Sequence, residues 1–421
     1  MTRTPVPTDA QLAWQRMGMG MFVHFGLNTF ADREWSDGTL PADSFDPSNL
    51  DARQWARTAA ALGAEYVILT AKHHDGFCLW PTATTAYSVA SSPWRSGKGD
   101  VVADLAEACR DEDLRLGLYL SPWDRNFPSY SDPEAYDELY VAQLTELCTG
   151  YGPLVELWFD GAGSEGHRYD WTRYMEVVRS HQPDAMIFNM GDPTIRWIGN
   201  EDGLADDPVR YVIDSTPDSQ YVETATSLAT EAYLPPECDV SLRRKWFWSP
   251  DDEPKSVEHL LAIYYRSIGL GANLLLNVPP DRSGRISGTD AARLAEFRSE
   301  LDRRLGIPVP TRLSQDGNSV IVHWDAPLTL EHVELEEDLG DGQRVFGHSV
   351  SIDGSVVAGG GSIGVRRIHP IPSVVAHRLA IDLTGVGGRL RSVTVRTGGD
   401  SSTKPQIPAG YEAPTDTPDD D

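Results

Sequence analysis

Residues 66–77 read YVILTAKHHDGF, and the parsing of this stretch decides the fold. Tyr66–Thr70 is a short run of aromatic, aliphatic and β-branched residues, the pattern of a buried strand. Lys72, His73, His74 and Asp75 follow at once, so polar groups stand at the strand's carboxyl end. The same grammar recurs on both sides. Gly20–Gly26 (GMFVHFG) reads as a strand with His24 at its end, followed by a helix over Asp51–Leu62 with Asp51 as N-cap. Downstream come a helix at Asp100–Cys109, a strand at Arg115–Ser121, and a long helix at Asp132–Thr149. That helix opens with Asp132-Pro133, a cap followed by proline in the first turn. Leu154–Phe159 is a strand, Trp171–His181 a helix and Met186–Asn189 a strand.

The pattern loosens between Gly191 and Trp248. It resumes with a helix near Pro254–Gly269, a strand at Asn273–Val278 and a helix near Thr289–Leu305. Such alternation implies parallel strands joined by crossover helices. A stretch of roughly 300 residues suits a (β/α)8 barrel, which typically needs about 250. The alternative is a doubly wound open sheet, but no glycine-rich phosphate turn follows the first strand. Polar residues also recur after several different strands. The expectation is therefore an α/β protein with a (β/α)8-like TIM barrel catalytic domain over residues 1–308.

After Gly306-Ile307-Pro308 the character changes. Short alternating strands such as Ser319–Trp324, His332–Leu335, Ser349–Ile352, Ser373–Ala376 and Ser392–Arg396 are separated by Gly and Asp turns. Residues 309–400 are expected to form an antiparallel β-sandwich domain. Residues 401–421 carry four prolines and five acids against one lysine, so they read as a disordered tail.

The 421 residues are 40% hydrophobic and 24% charged, a soluble globular composition. With 36 basic and 63 acidic side chains the formal net charge is −27, which disfavours nucleic acid and anionic membrane surfaces as partners. No apolar run is long enough to span a bilayer, and the first ten residues lack the apolar core of a secretion signal. Cys78, Cys109, Cys148 and Cys238 are widely spaced, which points to reduced thiols and a cytoplasmic location. The oligomeric state is not legible. Twelve tryptophans, including Trp35, Trp80, Trp94, Trp123, Trp158, Trp197, Trp246 and Trp248 near loops or strand ends, offer platforms for the C–H faces of sugars as well as core packing.

In a barrel, chemistry sits at the carboxyl ends of the strands. His24, then His73, His74 and Asp75, then Tyr119 and Asp124, then Asp160, Asn189, and finally Arg196, Asn200 and Glu201 would collect there. Asp160, in Trp158-Phe159-Asp160-Gly161, ends an apolar strand beside a tryptophan. Glu201, in the next segment, supplies a second carboxyl, and paired carboxyls are the minimum equipment for glycoside hydrolysis. Neighbouring strand residues point to opposite faces, so His73 and His74 would need a bulge to share a metal ion. Neutral imidazoles hydrogen-bonding a polyhydroxylated ligand fit the pair better. Neither a nucleophile elbow nor a Walker A loop is present.

The segments GMFVHFG (20–26), KHHDGF (72–77), WFDG (158–161) and NLLLNV (273–278) occur in the same order in glycoside hydrolase family 29, the retaining α-L-fucosidases, which this chain resembles from about Gly18 to Ile307. The resemblance implies a barrel followed by a β-sandwich, and exo-hydrolysis of terminal L-fucose from a fucosylated oligosaccharide or glycoconjugate. It implies Asp160 as nucleophile, and a pocket of His24, Glu34, Trp35, His73, His74, Tyr119, Trp158, Arg196 and Trp246. The segments RWIGNE (196–201) and LPPECDVS (234–241) resemble the branch acting on α-1,3- and α-1,4-linked fucose. Glu201 is preferred over Glu237 as general acid/base. Phe25 and Leu120 depart from the family's commoner tryptophan and tyrosine.

The implied reaction is double displacement with the two carboxyls about 5–5.5 Å apart, needing no metal or organic cofactor. Trp246 and Phe25 are the candidates to contact the sugar's methyl group, and the imidazoles and Arg196 its hydroxyls. The alternatives are a fucosidase of broad linkage specificity, a non-catalytic fucose-binding protein on the same fold and, more distantly, a metal-dependent barrel hydrolase.

Overall fold

The computed structural model describes residues 5–164, 166–215 and 227–411. Helix α1 (Asp9–Met17) precedes strands β1 (Met19–Val23), β2 (Tyr66–Lys72), β3 (Arg115–Leu120), β4 (Leu154–Trp158), β5 (Met186–Phe188) and β6 (Arg196–Trp197). Strands β7 (Val212–Ser215) and β8 (Ser227–Tyr233) form a separate antiparallel ribbon. Strands β9 (Pro236–Ser241) and β10 (Asn273–Asn277) complete the main sheet. Its order is β5-β4-β3-β2-β1-β10-β9-β6, with every pair parallel. A parallel bridge between Phe188 and Ile195 brings β5 back toward β6, so the sheet is a nearly closed barrel.

The crossover helices are α2 (Leu27–Ala31), α3 (Ala52–Leu62), α4 (Val101–Asp111), α5 (Pro133–Gly150), α6 (Trp171–His181), α7 (Val257–Arg266) and α8 (Gly288–Leu305). Asp51, Asp100, Asp132, Asp170, Ser256 and Ser287 each accept a backbone N–H from the first turn of the helix they precede, which satisfies a donor the helix leaves unpaired.

Strand residues alternate between two cores. Met21, Val23, Val67, Leu69, Leu118, Leu157, Val240 and Leu276 face the helices, while Phe22, Tyr66, Ile68, Tyr119, Trp158, Phe188 and Leu275 fill the barrel. Burial on both faces is why these strands read as continuous apolar runs. Gly20 is required by this packing: a Cβ there would lie 2.3 Å from the Tyr66 ring.

Beyond α8, strands β11 (Ile307–Val309), β12 (Arg312–Asp316), β13 (Ser319–Glu337), β14 (Val345–Ile352), β15 (Ser355–Gly360), β16 (Arg367–Gly385) and β17 (Leu390–Thr397) form one antiparallel sheet. The short strands expected from the sequence at 319–324 and 332–335 are one 19-residue strand, β13. Register shifts between His323 and Leu328 and between Leu330 and His332 let it bend without ending. Val320, Val322 and Trp324 from one half thereby share a core with Leu330, Val333 and Leu335 from the other.

The sheet is tied to the barrel by polar contacts. Arg367 pairs with both Asp207 oxygens at 2.9 and 2.7 Å, Gln343 donates to Val209 O, and Tyr265 Oη meets His332 Nε2 at 2.9 Å. Residues 401–411 also lie against the molecule, which corrects the expectation of disorder from Ser401. Ser401 donates to Ile371 O, and the Tyr411 ring rests on His259 and beneath the Lys255 ammonium. These contacts supply the order that the composition alone does not reveal. Residues 412–421 of the expected tail lie outside the described residues. No helix among the described residues is long and apolar enough to cross a membrane. All four cysteines are buried and unpaired.

Candidate active site

The carboxyl ends of the barrel strands, together with the segments after β1 and β9, surround one cavity. Asp160 enters it directly after β4. Its Oδ2 accepts the Tyr119 hydroxyl at 3.1 Å and its Oδ1 the Ala162 backbone N–H at 2.9 Å. The side chain is 26% exposed, and the open part faces the cavity. Burial pushes its carboxyl above the ordinary range, against the pull of the Ala162 and Tyr119 hydrogen bonds. Two donors to the carboxylate and one open face describe an anion fixed in direction and available to a ligand.

Three imidazoles sit beside it. His24 follows β1, with Nδ1 2.9 Å from Asn277 Oδ1. His73 lies parallel to Tyr119 with centroids 5.6 Å apart, and His74 Nδ1 meets Ser121 Oγ at 2.7 Å. His74 Nε2 is 3.6 Å from Asp160 Oδ2. Burial drives the pKa of His24 and of His74 down to about 3, and His73 is also pushed well down. The rings are therefore neutral, and the His74–Asp160 approach is dipolar rather than ionic.

Adjacent histidines were expected on opposite faces. Their centroids instead lie 4.2 Å apart, because β2 ends at Lys72 after a register irregularity at Thr70–Lys72 and the chain turns over the barrel mouth.

Glu34 reaches the cavity from the segment after α2. Its carboxylate accepts the Trp246 and Phe247 backbone N–H groups at 2.8 and 3.4 Å, which seats the loop that follows β9. Burial raises its pKa to about 7. Trp246 in turn directs its indole Nε1 toward Glu201 Oε2 at 3.4 Å, and Glu201 faces the same cavity as Asp160. Trp35 packs edge-on against His74 and Trp123. Trp158 is stacked between Tyr119 and Phe188 at the cavity floor.

Several sequence candidates do not join the cavity. Arg196 donates to Trp197 O and Arg210 O. On β6 the neighbouring Trp197 takes the inward position, so strand alternation turns Arg196 away. Phe25 packs against Phe30, Phe45 and Trp55 in the outer core, for the same reason relative to inward-facing His24. Phe22 and Phe247 supply apolar wall instead. Asp124 forms a buried pair with Lys72 at 3.0 Å.

Glu237 lies beneath the floor, fully buried. It accepts Tyr66 Oη at 2.6 Å and Trp158 Nε1 at 3.1 Å, and the Trp158 ring separates it from the cavity. Sequence reasoning passed over Asp239, which lines the cavity from β9. The only signal was its place two residues beyond Glu237, on the same face of the strand.

The family model described as "Alpha-L-fucosidase" matches residues 5–302. A relative from rice (Oryza sativa subsp. japonica), provisionally named alpha-L-fucosidase 1, is 49% identical over 90% of this chain and 82% of its own length. Alpha-L-fucosidase 1 of Arabidopsis thaliana is 46% identical over 70% of this chain, which spans 60% of that protein. The crystal structure of a glycoside hydrolase 29 family member from a rumen bacterium superposes with a TM-score of 0.85 at 35% identity, covering 94% of this chain and 78% of that one.

Proposed function

The chain belongs to the alpha-L-fucosidase family of glycoside hydrolases, and from that premise we propose a retaining exo-α-L-fucosidase whose nucleophile is Asp160 and whose general acid/base is Glu201. The observation that carries this reading is that these two carboxyls, from neighbouring segments, open onto one cavity among neutral imidazoles and indoles. In the first step Asp160 Oδ attacks the anomeric carbon as the glycosidic C–O bond breaks. Glu201 gives its proton to the departing oxygen. In the second step Glu201 takes a proton from water, whose oxygen displaces Asp160 from the fucosyl ester. Two inversions give net retention.

The Tyr119 and Ala162 hydrogen bonds hold the nucleophile in line, and the Trp246 indole orients Glu201. With Nδ1 of His24 held by Asn277 and Nδ1 of His74 by Ser121, the neutral imidazoles meet sugar hydroxyls through their remaining ring nitrogens. Phe22, Trp246 and Phe247 offer apolar surface to the methyl group of the sugar. The RWIGNE and LPPECDVS segments support α-1,3- and α-1,4-linked fucose on branched glycans as the substrates.

Asp160→Gly is expected to lower turnover of an aryl fucoside about a thousandfold or more, and azide is expected to restore part of it as fucosyl azide. A slow fluorinated fucosyl donor is expected to label the peptide carrying Asp160; an adduct on another peptide would reassign the nucleophile. Release from α-1,2-, α-1,3-, α-1,4- and α-1,6-fucosylated oligosaccharides, compared side by side, tests the linkage.

A further inference from the structure

The inward face of β9 is polar along its length: Glu237, Asp239 and Ser241 form a column from the barrel interior to the mouth, all nearly inaccessible to solvent. Glu237 at the base is held by Tyr66 and Trp158. Opposite it, Glu156 accepts Trp14 Nε1 through one oxygen, and no donor is aimed at the other. A proton on that second oxygen, shared with Glu237, satisfies both acids and leaves one negative charge below the cavity.

Asp239 sits above this pair and lines the cavity wall, 2% exposed. Its Oδ1 accepts the Trp197 indole N–H at 2.7 Å, and among the described residues no other side chain donates to it. The groups facing it are Trp197 from β6, Glu237 and Ser241 from its own strand, and, around the cavity, Asp160, Glu201, Glu34 and the neutral His24 and His73. Among the described residues no lysine or arginine lines the cavity. Arg196, the nearest cation in sequence, is bonded elsewhere. A second full negative charge beside ionised Asp160, with no cation to offset it, is strongly disfavoured in such a site.

We propose that Asp239 works as a neutral carboxylic acid, donating a hydrogen bond from the cavity wall to a hydroxyl of the bound sugar and so helping to select it. The proposal rests on the fucosidase reading of this cavity and deepens it. Burial first, then the charges of Glu237 and Asp160, push the Asp239 carboxyl up to about 8, against the Trp197 hydrogen bond. The pocket is thereby ready to act with one ionised wall acid, Asp160. It loses its donor, and gains a repulsive charge, as Asp239 ionises on the alkaline side.

Difference infrared spectra of the full chain test the protonation state without any substrate. The wild type minus Asp239→Asn spectrum at pH 6 is expected to show a protonated-carboxyl band that disappears on raising the pH past 8. An ionised carboxylate band at pH 6 would overturn the proposal. Kinetics on an aryl fucoside test the contact. Asp239→Asn, which keeps a neutral donor, is expected to lower kcat/KM by about tenfold or less. Asp239→Ala, which leaves the hydroxyl unpaired, should lower it by about 30- to 100-fold.

Equal losses in the two variants would also overturn the proposal. If the wild type released no fucose, the functional premise would fail, while the infrared result would still stand on its own.

Discussion

Burial governs the charge of the imidazoles at the cavity. His24 and His74 are held near a pKa of about 3 because their rings are cut off from water, with desolvation outweighing the Asn277 hydrogen bond at His24. Imidazole resonances of both are therefore expected to keep neutral shifts from pH 8 down to pH 5 in an NMR titration; a midpoint near 6.5 for either would mean the site is wet. The linkage has a definite sign. The unfolded chain binds protons at these histidines near pH 6.5 and the folded chain does not, so their contribution to stability is intact above about 6.5 and is lost as pH falls toward 3. His24, the His73-His74 pair and Asp160 were legible in the sequence because each follows an apolar run, and that juxtaposition survives folding. Arg196 and Phe25 were misread, because which of two neighbours faces inward depends on strand phase and the flanking pattern was too short to fix it. Asp239 was missed because one acid among 63 carries no mark of burial.

Elements are held by a few buried polar ties. At the end of β2 the Lys72 ammonium, fully buried, pairs with Asp124 and lies over the Tyr136 and Tyr140 rings. Asp124 Oδ1 meanwhile accepts Asn126 and Phe127 backbone N–H groups, fixing the loop after β3 that carries Trp123. Lys72→Met strands a buried carboxylate and is expected to cost about 3–5 kcal/mol in urea unfolding. Adding Asp124→Asn, which removes the charge and keeps an acceptor, should recover part of that loss; a double variant no better than Lys72→Met would mean that the lysine acts by packing alone. On β1, Gly20→Ala drives a methyl into the Tyr66 ring and is expected to cost about 1–3 kcal/mol by overpacking, read as a lowered Tm. Strands β1 to β5 and β10 and helices α3 to α8 were legible to within a few residues, because their apolar periods and caps are local. By contrast, β6 and β9 lie in the stretch where the pattern loosens, and α1 and α2 drew no expectation. The bent strands β13 and β16 were not, since a bulge in mid-strand carries the same Asp, Ala and Pro residues as a turn and only its cross-strand partners reveal the difference.

For the whole molecule, the question is how far the antiparallel sheet and the barrel depend on each other. The link runs through the segment after β6, where Glu201 is followed by Asp207, and Asp207 is clamped by both terminal nitrogens of Arg367 on β16. Arg367 is nearly buried and Asp207 about one third exposed, so the clamp works in partly desolvated surroundings. Arg367→Ala is expected to lower global stability by about 1.5–3 kcal/mol, the usual worth of charge-assisted hydrogen bonds. Arg367→Lys should rescue little of it, because an ammonium cannot engage both carboxylate oxygens in a planar fork. Catalysis is expected to respond differently. Asn200 bridges the loop through its side chain to Leu204 O and to the Asp202 and Leu204 N–H groups, and Ala205 N–H bonds Arg266 O on α7. These ties fix the Glu201 side of the segment without help from β16. At a temperature where the variant is fully folded, kcat on an aryl fucoside should therefore stay within about twofold of the wild type, while the urea midpoint drops. A large fall in kcat with folding intact would show that the antiparallel sheet braces the acid/base loop itself.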